Sequence, residues 1–245
     1  MIEPDLSGRV ALVTGSAAGV GRELLLSLAD CGADVAVHYR RSEADARDAA
    51  DAARDRGTAA AVVQGDVTDP DDVDALFSTV EDDLGSVDVL VNNVGPFAPE
   101  HWEEMSFERW NAVIQGNVNG TYLCSKRALP AMREQGFGRI VNVGYASSEK
   151  GLVAPKNAPY FVAKAGVLMF TRMLAADTDR DGVTVNAVSP YVVENSDVFP
   201  EDLPRGRPAE FDDVSQAVRF FLEEDSDYLS GANVTVDGGW LPETV

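Results

Sequence analysis

The stretch Arg9–Ala29, RVALVTGSAAGVGRELLLSLA, decides how the rest of the chain is read. A short apolar run, Val10 to Val13, enters a turn holding Gly15, Gly19 and Gly21 and leaves it as a helical pattern with Leu24, Leu25, Leu28 and Ala29 on one side. The expectation is strand, tight turn, helix. Glycine admits positive φ and carries no side chain, so such a turn lets backbone N–H groups and a helix N-terminus face an anion such as a pyrophosphate.

Composition narrows the class of protein around this turn. The 245 residues suffice for one α/β domain with a full core and are few for two. The opening MIEPDLSGRV has neither a basic nor an apolar leader region, and no apolar run approaches a membrane span, so a soluble cytoplasmic protein is expected. Cys31 and Cys124, both in expected helices, read as small buried apolar residues and exclude a disulfide framework. The net charge of −21, from 41 Asp+Glu against 20 Lys+Arg, opposes a nucleic-acid or anionic-membrane partner. No metal site is expected. Lysine stands only at Lys126, Lys150, Lys156 and Lys164, and the acids are spread rather than gathered in a tail. That pattern looks like a surface adapted to molar salt, where screening removes most self-repulsion; an unusually acidic protein of ordinary salt is the alternative.

Further strands and helices alternate after the turn. Val35 to Val37 read as a second buried parallel strand, ending in His38-Tyr39-Arg40-Arg41-Ser42 with no acid before Glu43. An acid there accepts from the ribose 2′-hydroxyl of NAD, whereas a base accommodates the 2′-phosphate of NADP. NADP(H) is therefore expected, with Arg40 as first contact and Tyr39, Arg41 and Ser42 in support; a solvated arginine pair is the alternative. A helix from Glu43 to Arg56, a strand from Ala59 to Gln64 and the turn Gly65-Asp66-Val67-Thr68-Asp69 follow, the last with an Asp or Thr to cap a helix over 70–84.

Val87 to Val91 form a fourth strand that ends in Asn92-Asn93-Val94-Gly95. An amphipathic pattern then runs from Phe107 to Glu134, broken by Gln115-Gly116-Asn117-Val118-Asn119-Gly120, where glycine and asparagine conflict with helix propensity. Such conflicts tend to mark sites; a helix that starts later is the alternative. Arg139 to Val143 make a fifth strand, and Tyr160-Phe161-Val162-Ala163-Lys164 opens another helix. Tyr and Lys at i and i+4 share one face, about 6 Å apart. A phenol that trades a proton near neutrality needs its pKa lowered by about 3 units, and a neighbouring ammonium acts in that direction.

Thr14-Gly15-x-x-x-Gly19-x-Gly21, Asn92-Asn93-Val94-Gly95 and Tyr160-x-x-x-Lys164 together resemble the short-chain dehydrogenase/reductase family, from about residue 6 to residue 240. The resemblance implies an NADP(H) site in which Gly15, Ser16, Gly19, Val20 and Gly21 form the pyrophosphate turn. It puts Asp66 and Val67 at the adenine, and Asn93, Gly95, Pro190 and Val193 toward the nicotinamide half. Tyr160 is then the general acid, Lys164 lowers its pKa and binds the nicotinamide ribose, and Asn117 supports a water-mediated proton relay. The family's serine, which hydrogen-bonds the substrate carbonyl, falls at Tyr145 when counted from the fifth strand and at Ser147 when counted from Tyr160. Ser147 is preferred, with Tyr145 and Ser148 left open. Tyr191 replaces the glycine of a Ser-Pro-Gly segment and brings a ring near the nicotinamide or the substrate, and about residues 191–210 read as a substrate lid.

These features predict one doubly wound Rossmann-type domain over residues 1–245, a seven-stranded parallel sheet with helices on both faces. The resemblance further implies a homotetramer or homodimer packed through the helices of Asn117 and Tyr160. Within the family the chain most resembles reductases of 3-oxoacyl thioesters, so NADPH-dependent reduction of such a carbonyl is expected. Two alternatives stand beside it. Phe97, just after the Asn-Asn motif, offers a ring for stacking a pteridine, though it also suits an acyl pocket or the core. A non-catalytic NADP(H) sensor would account for the displaced serine, although it would have no use for the Tyr160/Lys164 pair.

Overall fold

The computed structural model describes residues 2–196 and 199–240. Seven strands form one sheet in the order β3-β2-β1-β4-β5-β6-β7, with every neighbouring pair parallel. They are β1 (Val10–Val13), β2 (Asp34–Tyr39), β3 (Ala60–Gln64), β4 (Val89–Asn92), β5 (Gly138–Val143), β6 (Val183–Pro190) and β7 (Asn233–Val236). The central strands β1, β4, β5 and β6 are buried along their whole length, which is why their sequences are apolar runs rather than alternations.

Helices cover both faces. On one side, α1 (Gly19–Asp30), α2 (Glu43–Arg54) and α8 (Phe211–Phe220) pack Leu24, Leu28, Ala46, Ala50, Val214 and Val218 against Ala11, Val13, Val35 and Val37. On the other, α3 (Pro70–Asp83), α5 (Gly120–Gln135) and α7 (Ala158–Asp177) pack Leu76, Phe77, Cys124, Met132 and Leu174 against Leu12, Ala36, Leu90, Ile140 and Val185. The alternation of strand residues between the two layers closes a core on each face. Asp69 caps α3 by accepting from the Asp71 and Asp72 N–H groups.

The amphipathic run from Phe107 is not one regular helix. It divides into α4 (Phe107–Ile114), a π-helical turn over Gln115–Asn119 and α5, so the propensity conflict marks a real change of winding rather than a late start. Cys31 does not lie inside a helix. It ends α1 and is half-buried, because Gly32 and Ala33 turn the chain back into β2, whereas Cys124 is buried in α5. The segment read as a lid leaves β6, carries one short turn at Pro204–Gly206 and is tied at its base by a bridge between Val193 and Ala209; residues 197 and 198 of it lie outside the described residues.

A polar ladder crosses the apolar interior. The Asn92 amide donates to Asn142 Oδ1 at 2.8 Å and to Ser125 Oγ at 3.1 Å, and the Asn142 amide donates to Thr171 Oγ1 at 2.9 Å. It joins the ends of β4 and β5 to α5 and α7, and a buried network is stabilising only while its members stay paired. Asn142→Ala should therefore cost about 1–3 kcal/mol in urea-induced unfolding, because it removes a buried hydrogen bond from both Asn92 and Thr171.

Candidate active site

Strand order reverses between β1 and β4, so the loops after these two strands diverge and leave a cleft beyond their carboxyl ends. The Gly-rich turn occupies one wall. Gly15 and Gly19 adopt positive φ, 68° and 58°. A Cβ on Gly21 would lie 2.4 Å from the Gly15 carbonyl oxygen and 2.5 Å from Asn93 Nδ2, so only glycine fits there. Ala18, the residue before α1, offers no side-chain cap, and the first turn of α1 carries no acid. The helix's first N–H groups and positive dipole end are thus left for an external anion, the donor set a dinucleotide pyrophosphate requires. Ser16 is fully buried, and both its N–H and its hydroxyl are engaged with the His38 backbone. Its contribution is the shape of the turn.

The far wall is the β3–α3 turn. Asp66 Oδ1 accepts from the Thr68 N–H and hydroxyl, and Asp66 Oδ2 pairs with Arg40 at 3.1 Å. Arg40 is half exposed and Arg41 is exposed with no ion pair among the described residues. Tyr39 is buried at the end of β2, and Ser42 stands at the N-terminus of α2. Val67 is buried against Gly120, where a Cβ would approach Val67 Cγ2 to 2.8 Å.

Thr14 and Asn93 tie the two central strand ends together. Thr14 Oγ1 accepts from the Asn93 and Val94 N–H groups, while Asn93 Nδ2 donates to the Thr14 carbonyl at 3.0 Å. Gly95 follows. A Cβ there would lie 2.6 Å from Asn117 Oδ1 and 2.9 Å from Lys164 Nζ, so the missing side chain is what lets Asn117 and Lys164 approach. Asn117 sits in the π turn with its Nδ2 donating to the Pro96 and Val113 carbonyls, and its buried Oδ1 has no protein partner among the described residues. An unpartnered acceptor facing a lysine suits a bridging water.

Lys164 is buried and donates to the Val143 carbonyl at 2.6 Å, with its nitrogen 5.6 Å from the Tyr160 ring centroid. The two side chains share a face of α7 as their spacing predicts. Their protonation differs from the simple expectation. Burial raises the Tyr160 phenol above its ordinary range, helped by the adjacent Tyr145, and the same burial pulls Lys164 down to about 7. Desolvation thus opposes the charged forms of both groups, a direction opposite to the expected lowering of Tyr160.

Tyr145, in extended conformation before α6 (Ala146–Glu149), packs its ring on Tyr160 at 5.4 Å and on Phe161 at 5.6 Å. Ser147 lies inside α6, 4% exposed, and makes no side-chain hydrogen bond among the described residues; Ser148 Oγ donates to the Phe161 carbonyl. The Tyr145 ring thus packs directly on Tyr160. Phe97 packs edge-on to Tyr160 from the other side, 5.2 Å between centroids, and is 56% exposed. Tyr191 stacks flat on Trp240 at 3.9 Å, at the base of the lid segment. Pro190 ends β6 and Val193 is buried at the lid bridge.

Two groups escaped the sequence reading. Asn157, in the left-handed region at φ 64°, accepts from the Ala98 N–H through Oδ1, and its carbonyl accepts from the Tyr160 N–H. It therefore holds the Phe97 loop to the start of α7; an Asn two residues before a proline was its only signal. Lys150 pairs with Asp237 at 2.5 Å and donates to the Trp240 carbonyl, fastening the Tyr145 loop to the chain after β7. Nothing local in sequence announces that contact.

This cleft, with the Gly-rich turn on one wall and Tyr160 and Lys164 on one face of α7, is that of a nicotinamide-dependent oxidoreductase. A family model described as Enoyl-(Acyl carrier protein) reductase matches residues 15–241. A 3-oxoacyl-[acyl-carrier-protein] reductase of Synechocystis sp. is 36% identical, covering 96% of this chain and 98% of its own. A cis-4-hydroxycyclohexanecarboxylate dehydrogenase of Sinomonas cyclohexanicum is 39% identical, covering 95% and 96%. A gluconate 5-dehydrogenase from Burkholderia cenocepacia, solved in complex with NADP and tartrate, superposes with a TM-score of 0.89 at 31% identity over 97% of both chains. The chain belongs to the short-chain dehydrogenase/reductase family. It is an NAD(P)-dependent oxidoreductase acting on a CH–OH group or the corresponding carbonyl, which removes the ground for a non-catalytic reading.

The Lys164 shift has a sign that can be measured. Because its folded value lies below the unfolded value of 10.5, the unfolded chain binds more protons between about 7 and 10.5, and stability falls as pH drops through that window. In thermal unfolding without added cofactor, Lys164→Met should raise Tm, and more at about pH 6 than at about pH 9.

Proposed function

We propose that the protein is an NADPH-dependent reductase of a ketone carbonyl, with a 3-oxoacyl thioester as substrate class. The observation that carries the reaction is the buried Tyr160, flanked by Tyr145 and Phe97 and backed by Lys164. The reductase of Synechocystis sp. supports the thioester. NADPH supplies a hydride to the carbonyl carbon when bound. Tyr160 Oη donates its proton to the carbonyl oxygen, and its raised pKa keeps that proton in place across neutral pH. Lys164 would hold the nicotinamide ribose, and the unpartnered Asn117 Oδ1 offers an acceptor for a water through which the Tyr160 phenolate would regain its proton. Tyr145 takes the family serine's place as second donor to the carbonyl oxygen, with Ser147 as the competing donor. Arg40 and Arg41 receive the 2′-phosphate, Arg40 by exchanging its exposed pair with Asp66.

A second reading takes the same rings as a slot for a flat heterocycle, a pteridine reduced at a C=N bond. Phe97, Tyr145 and Tyr160 around one acid favour it. The acid surplus suits work in molar salt, and exposed Tyr122, Val162, Met169 and Met173 on α5 and α7 suit burial between copies of the chain.

Tyr145→Phe should lower kcat/KM by about tenfold or more and Ser147→Ala by less than about twofold; the reverse order would return the role to Ser147. NADPH oxidation with acetoacetyl-CoA and with a dihydropteridine, at about 0.1 M and about 2 M KCl, tests the substrate and salt readings together. The thioester should turn over faster in high salt with sedimentation as a dimer or larger, and Arg40→Asp should shift preference toward NADH; turnover of the pteridine alone would establish the second reading.

A further inference from the structure

His38 is spent on none of the roles above, yet every hydrogen-bonding group it has is engaged. It is 2% exposed at the end of β2. The Gly15 N–H donates to its Nδ1 at 2.8 Å, which makes Nδ1 the acceptor and leaves the ring proton on Nε2, 3.0 Å from the Gly65 carbonyl. Its backbone N–H donates to Ser16 Oγ and its carbonyl accepts from the Ser16 N–H, each at 3.0 Å. One imidazole thus spans from the pyrophosphate turn after β1 to the segment after β3 that carries Asp66 and, through it, Arg40.

We propose that His38, as the neutral Nε2–H tautomer, is a positioning residue that sets the distance between the pyrophosphate turn and the adenosine end of the dinucleotide site, so that its protonation weakens cofactor binding. This rests on the dinucleotide reading of the cleft. A second ring proton would point at the Gly15 N–H, donor against donor, and the turn could hold its conformation only by losing that bond. Burial holds the imidazole below its ordinary value and Asp66 draws it upward. From the turn after β1 no ionisable group faces the ring, from the β3–α3 segment Asp66 does, and Arg40 on the end of β2 is paired with Asp66. The neutral form therefore prevails at neutral pH and gives way only in more acid solution than an exposed imidazole would need.

The test titrates NADPH fluorescence with the full chain at about pH 8 and about pH 5.5. His38→Asn keeps an acceptor for the Gly15 N–H and never charges. Its Kd at the higher pH should stay within about threefold of wild type, and between the two conditions wild type should lose about tenfold more affinity than the variant. Titration of the cofactor's own phosphate is common to both proteins and cancels. His38→Phe, lacking both ring partners, should bind about tenfold more weakly at the higher pH. The chain has only two histidines, so long-range proton–nitrogen spectra of the wild type should show one fixed Nε2–H ring at neutral pH. Parallel pH curves for wild type and His38→Asn, or an Nδ1–H or averaging ring, would overturn the proposal. Should wild type bind NADH and not NADPH, the 2′-phosphate reading fails while the same curves with NADH still decide the role of His38, because the turn faces the pyrophosphate both share.

Discussion

The seam between β1 and β4 is the constraint on which the site depends. These two strands pair in parallel at the middle of the sheet, and the chain leaves them in opposite directions. Backbone pairing ends there, so the carbonyls and N–H groups at the divergence must find other partners. Thr14 and Asn93 provide them, each bonding the other's strand end. With the seam closed, the Gly-rich turn and the Asn-Asn-Val-Gly loop lie on either side of one cleft. The Asn92–Asn142–Thr171 ladder extends the same fastening under the catalytic helix.

Around that seam, small residues decide what can approach what. Gly21 admits the Asn93 amide to the turn, and Gly95 admits Asn117 and Lys164 to each other. The π turn rotates Asn117 so that its amide nitrogen satisfies two carbonyls and its oxygen is left over. The helix conflict in the sequence is thus resolved in favour of the site, at some cost in regular winding.

In the corner around Tyr160 the count from the fifth strand and the count from Tyr160 disagree by two residues. Tyr145, at the strand-side position, packs its ring on Tyr160, while Ser147 lies in α6. A phenol reaches farther than a serine hydroxyl and brings apolar surface, so the corner becomes aromatic, with Phe97 opposite. Lys150, Asp237 and Trp240 hold this loop against the lid base and Tyr191. These contacts join parts of the chain nearly a hundred residues apart.

Sequence alone determined the alternation of buried strands and amphipathic helices, the Gly-rich turn, an Asp or Thr cap before the third helix and the Tyr160–Lys164 pair on one helix face. Each of these lies within a span that local geometry governs: the two-residue period of a strand, the 3.6-residue period of a helix, or the φ preference of one glycine. Tertiary structure alone decided that the Tyr145 ring packs on Tyr160, because the two counts along the loop disagree until the chain is closed. It also set the direction of the shifts in that pair, since burial is a property of the packed core and opposes both charged forms. The clasp of His38 on Gly15 and Gly65 and the tie from Lys150 to Asp237 belong to the same group. They join residues far apart in the chain, and strand order and register, which no local pattern encodes, bring those residues together.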